Sequence, residues 1–120
     1  MENKTNKFAV DVASAPAKPL SIDFDLYTDG DSDFKSELVV LMIDNIRELK
    51  ESLVEASKSN NPEVFRKACH KVKPTLSMID DAEYNDIIEV LKCQIVNQNC
   101  IQLFNRLSDG ILKNLEAEIG

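Results

Sequence analysis

The one histidine of this 120-residue chain lies in Cys69-His70-Lys71-Val72-Lys73-Pro74-Thr75, where an imidazole stands among lysines. An imidazole with its ordinary pKa of about 6.5 keeps one ring nitrogen unprotonated at neutral pH, so it is a nucleophile that can accept a phosphoryl group. Phosphoryl transfer asks little covalent chemistry of a protein; positioning and neutralisation of the equatorial oxygens supply most of the catalysis. At about 100° per residue over residues 62 to 79, Phe65, Ala68, Val72, Leu76 and Ile79 fall within about 40° of one line, which predicts the buried face of a helix. His70 lies about 140° from that stripe, with Arg66 a turn before it, Lys73 a turn after and Ser77 beyond, all on the side facing water.

A lone histidine in a helical domain is usually a surface or core residue, so its neighbours decide. The helical phase removes the core reading. Arg66, Lys67, Lys71 and Lys73 place four of the chain's 14 lysines and arginines within eight residues that hold no acid, while the whole chain carries a net charge of -7. Clustering against the overall sign marks a place where negative charge arrives. Lys73 at i+3 can reach over a group on His70 as a point charge for phosphate oxygens, with Arg66 and Lys67 as outer screening. No G-x-x-x-x-G-K-[ST] or G-x-G-x-x-G segment is present to cradle a nucleotide, and nothing links Ser77 or a carboxylate to His70 as a Ser-His-Asp set. A chain with the acceptor and no donor site is a phosphoryl carrier without an ATP site of its own, not an enzyme. It depends on a partner for the metal and the mixed anhydride.

The elements that must position His70 are helices. Three Gly and four Pro are too few for a turn-rich sheet fold, and the length suits one domain. Residues 1 to 18 show no sustained period and read as a flexible tail; residues 19 to 120 form the folded part. Leu20, Ile22, Phe24 and Leu26 alternate without a second strand, which predicts an extended or short helical segment capping one end. Asp31 or Ser32 opens a long helix to about Ser57 with Phe34, Leu38, Leu41, Ile46, Leu49, Leu53 and Ala56 inward. Asn61 caps the next helix with Pro62 at its first position, where a missing N–H costs nothing. Asp81 caps a third on Tyr84, Ile87, Ile88, Leu91 and Ile95, Asn97-Gln98-Asn99 makes a turn, and a fourth runs on Ile101, Phe104, Leu107, Ile111, Leu115 and Ile119 despite Gly110. The expected fold is all-α: an antiparallel up-and-down four-helix bundle with an N-terminal capping segment.

Other classes are excluded or weakened by composition. The acidic balance argues against nucleic acid. No run approaches the roughly 18 apolar residues of a membrane span, and residues 1 to 18 lack the apolar centre of a signal peptide, so a cytoplasmic location is expected. Cys69, Cys93 and Cys100 are odd in number and have no C-x-x-C spacing, which suits reduced thiols; Cys69 falls close to the buried face and reads as packing. An EF-hand begun at Asp29 would need Gly and Glu where Phe34 and Val40 stand, so no metal site is expected and helix capping explains those acids.

His70-Lys71-Val72-Lys73, followed by apolar Leu76 and Ile79, resembles the signature of histidine-containing phosphotransfer (HPt) domains, roughly H-x-[hydrophobic]-K-G. Gly30-Asp31-Ser32-Asp33-Phe34 resembles the G-D-x-x-F opening before that family's long first helix, and the similarity covers residues 20 to 118 in helix order and length. The resemblance implies a monomer that takes phosphoryl from, and gives it to, receiver-domain aspartates of response regulators and of a hybrid sensor histidine kinase. Lys73 would stabilise the phosphohistidine, no cofactor would be its own, and the partner receiver would supply the magnesium. Two departures stand out: Pro74 where the family usually has Gly, which predicts a local kink beside the site, and Asp80 where it often has Gly. Lys92, where relatives often place a polar side chain such as Gln, is a candidate second cation. The expected docking footprint is Arg66, Lys67, Lys73, Pro74, Ser77 and Met78 with the exposed side of the preceding long helix. The rival reading is an HPt-like adaptor that binds a receiver or kinase domain and is never phosphorylated.

Overall fold

The computed structural model describes residues 22–94 and 98–119. Among them the chain is helical throughout, with no strand: α1 (Phe24–Thr28), α2 (Ser32–Ser59), α3 (Pro62–Lys71), α4 (Lys73–Met78), α5 (Ala82–Cys93) and α6 (Gln98–Ile119). The expected tail, and Leu20, Ile95 and Asn97, lie outside the described residues.

Side-chain oxygens open the helices where the sequence supplies them. Asp31 accepts from the Phe34 N–H at 3.0 Å, Asn61 from the Glu63 N–H at 3.1 Å with Pro62 next to it, and Asp81 from the Tyr84 N–H at 3.2 Å. Each such cap contributes about 1 kcal/mol. α1 ends through Asp29 and Gly30, at φ 54° and 77°. Two successive left-handed residues turn the chain into α2, and the glycine takes that conformation without strain.

α2 packs against α3 and α6, α5 packs against the same two helices from the other side, and α1 lies on α2. Lys50–Asp109, Arg47–Glu116 and Lys35–Glu118 pair in opposite chain order, so α2 and α6 run antiparallel. These pairs are largely solvated and contribute on the order of 0–1 kcal/mol each, so they set register more than stability. Between the helices Phe104 stacks on Tyr84 at 5.6 Å and meets the edge of Phe65, also at 5.6 Å. The Tyr84 hydroxyl reaches the core only because fully buried Ser108 meets it at 2.9 Å.

Three expectations are corrected. Phe34 and Leu41 are 48% and 54% exposed, and Val39, Met42 and Ile43 take their place in the core. The stripe of Phe34, Leu38 and Leu41 continues into Asn45 and Glu48, two polar residues, and that continuation marks it as the edge of α2 rather than its buried face. Gln98 and Asn99, read as a turn, already belong to the first turn of α6. Ile119 is exposed at the end of α6, whose core is Cys100, Leu103, Phe104, Ser108, Ile111 and Leu115.

Candidate functional site

Pro74 has no N–H for the His70 carbonyl four residues before it, and its ring crowds that turn. The helix expected over residues 62 to 79 is accordingly interrupted at Val72 (φ −99°, ψ 17°), and α4 restarts with Pro74 in its first turn. The kink is present, but it falls two residues before the proline. His70 therefore stands in the last turn of α3, not mid-helix, and its side chain is exposed. Phe65, Ala68, Val72 and Ile79 are buried as the helical phase requires, and Leu76 is half-buried.

The His70 ring borders an open groove of about 900 Å³ between the α3–α4 pair and α5, closed at one end by α1. Arg66, Lys73, Ser77, Met78 and Lys92 line it with His70, so the structure brings together six residues singled out in the sequence. Lys67 and Pro74 are exposed but turn away from it. No α2 residue lines it either: on that side Lys71 is drawn to Glu48 at 2.8 Å. The concave surface beside His70 is thus bordered by α1 and α5 and not by α2.

Charge in the groove is more mixed than a run of cations implies. Asp23, Asp80 and Glu89 also line it. The Arg66 guanidinium binds Glu63 at 2.8–2.9 Å and donates to the Lys92 carbonyl at 2.8 Å, which ties α3 to α5. The Lys92 ammonium meets Glu89 at 3.2 Å. Among the described residues Lys73 is the cation of the groove that no carboxylate holds. Burial pushes the Cys69 thiol up to about 12 although Lys92 lies near enough to oppose the shift, so this neighbour of His70 packs and is no nucleophile.

Sequence reasoning missed the other rim. Leu26 and Tyr27 of α1, 76% and 47% exposed, line the groove beside Leu76, Met78 and Ile88. The alternating apolar residues of that segment were the available signal, but a five-residue helix has too short a pattern to show which of them point inward.

The arrangement offers a tetrahedral dianion an exposed imidazole, one ammonium that no carboxylate among the described residues holds, two further cations already paired with Glu63 and Glu89, and an apolar rim. Among the described residues no group of three or more His, Cys, Asp or Glu is placed to hold a metal ion, and no helix is long and apolar enough to cross a membrane. Comparison with protein-family models, with curated proteins and with solved structures finds no match.

Proposed function

We propose that this chain is a histidine phosphotransfer protein, relaying a phosphoryl group between receiver-domain aspartates through His70. One observation carries the reading: the chain's one imidazole is exposed in a groove with an unpaired lysine, on a molecule that is otherwise acidic. In the step, an imidazole nitrogen attacks phosphorus, the anhydride bond to the receiver aspartate breaks, the carboxylate leaves with the electron pair, and the imidazole proton passes to solvent. Magnesium held by the receiver neutralises the leaving side, and Lys73 neutralises oxygens on the receiving side. Lys92, which Glu89 holds at 3.2 Å, would contribute only outer screening. The packing of α2, α3–α4, α5 and α6 around one core supports reading the fold as the four-helix bundle of such carriers, with α1 as its cap. Response regulators and a hybrid sensor kinase are the partners this chemistry requires, and a monomer in a reducing, cytoplasmic compartment suits three free thiols. The adaptor reading keeps one observation in its favour, the break at Val72 beneath His70.

The test is incubation of the purified chain with a panel of phosphorylated receivers. The proposal expects acid-labile, base-stable phosphate on the chain and no labelling by ATP alone. A chain that labels itself from ATP would overturn the relay; one that binds a receiver yet accepts no phosphate is the adaptor.

A further inference from the structure

α4 has six residues, too few to hold a direction by its own backbone bonds. It carries Lys73, whereas His70 belongs to α3, on the other side of the break. The placement of the ammonium relative to the imidazole therefore depends on the angle between two short helices. Across the break the Val72 N–H donates to the Ala68 carbonyl at 3.0 Å and the Leu76 N–H to the Val72 carbonyl at 3.1 Å. Pro74 withholds the bond that would make the two helices one.

A side-chain bond to α2 holds α4 one residue beyond that proline. The Asn45 amide of α2 donates to the Thr75 hydroxyl at 2.7 Å, and Thr75 is only 3% exposed. Among the described residues this is the hydrogen bond that ties an α4 side chain to another helix. Thr75 and Lys73 are two residues apart, about 200° around the helix, so one face of α4 is anchored on α2 while the opposite face presents the ammonium to the groove. Asn45 is half-buried on the edge of α2, where its amide meets α4.

We propose that Asn45 and Thr75 are positioning residues: their hydrogen bond sets the angle of α4 and so holds Lys73 over a phosphoryl group on His70. The inference rests on the phosphotransfer reading. An ammonium so held neutralises the phosphoryl oxygens and resists protonation of the imidazole as a leaving group, which slows loss of phosphate to water.

The experiment loads His70 with phosphoramidate, without any protein donor: the imidazole nitrogen attacks phosphorus, the donor's P–N bond breaks, and ammonia leaves with the imidazole proton. The lifetime of the phosphohistidine is then followed by phosphorus NMR. Thr75→Val and Asn45→Ala are expected to shorten it roughly threefold to tenfold, as Lys73→Ala does, and Thr75→Val with Lys73→Ala together no further than Lys73→Ala alone. Thr75→Ser, which keeps the hydroxyl, should restore it. Wild-type lifetimes in Thr75→Val and Asn45→Ala beside a shortened one in Lys73→Ala would overturn the positioning role and leave the phosphotransfer reading intact. Multiplicative losses in the double variant would likewise overturn it. Absence of any phosphate on wild-type His70 would overturn that reading and this inference with it. Circular dichroism on each variant separates these outcomes from loss of fold; should Thr75→Val unfold, Asn45→Ala and Thr75→Ser decide.

Discussion

At the scale of the residue, everything turns on His70 touching water and Lys73 having, among the described residues, no carboxylate to answer to. Because the imidazole packs against nothing in the core, His70→Gln should change unfolding free energy by less than about 0.5 kcal/mol in urea titrations while abolishing phosphate uptake. A variant that unfolds would make His70 structural. Lys73→Ala should fold as well and shorten the phosphohistidine lifetime, read by phosphorus NMR, since Arg66 and Lys92 remain occupied by Glu63 and Glu89. Sequence phase was enough to put Arg66 and His70 on one flank, because both lie on α3 at 3.6 residues per turn; Lys73 and Ser77 also line the groove, but from α4, beyond a break that phase does not describe. Nor could phase show that Arg66 would be spent on the Lys92 carbonyl, since partners 26 positions apart are visible only in the fold.

Elements raise different questions, of boundary and burial. Boundaries were legible wherever a capping side chain marks them, as at Asp31, Asn61 and Asp81, because a cap is a local bond. The inward face of α2 was legible from Ile46 to Ala56 but not in the first half, since over 28 residues the buried stripe turns and apolar residues at its edge mimic it. Burial also sets the alkaline limit of the fold. The Cys69 thiol is pushed up from its ordinary 9.0 to about 12 by desolvation, and the Tyr84 hydroxyl is pushed above its ordinary value for the same reason. Both hold their protons in the fold and lose them first when unfolded, so this stability is complete below about pH 9 and is lost as pH rises toward about 12. Denaturant midpoints should fall across that window, less steeply for Cys69→Ala; a flat profile would contradict the burial. Phe104→Ala should cost about 3–5 kcal/mol by urea titration, because it empties the seat between Tyr84 and Phe65.

For the whole molecule, the phosphotransfer proposal has the groove ask a partner for two things at once: an acidic, metal-holding pocket for His70 and an apolar side chain for Leu26 and Tyr27. Leu26→Asp should leave loading by phosphoramidate unchanged and slow transfer from a receiver about tenfold, a loss of about 1.4 kcal/mol at the docking step, measured by rapid quench. Equal slowing with both donors would mean that α1 supports the fold and not the contact. Lys67→Glu, an exposed charge outside the groove but one turn before His70 on α3, should slow transfer from a receiver at low salt and much less at high salt. Placement of α1 on α2 at the end of the groove was illegible in the sequence, as it depends on how Phe24 seats in the core. The central claim rests on one atom of one residue, so its most direct test is to locate the phosphate. After incubation with a phosphorylated receiver, the chain is digested at alkaline pH and sequenced by mass spectrometry under conditions that preserve phosphoramidates. The account predicts one phosphoryl group, on the peptide containing His70, absent from His70→Gln. Phosphate on any other residue, or none on a chain that binds the receiver, would contradict it.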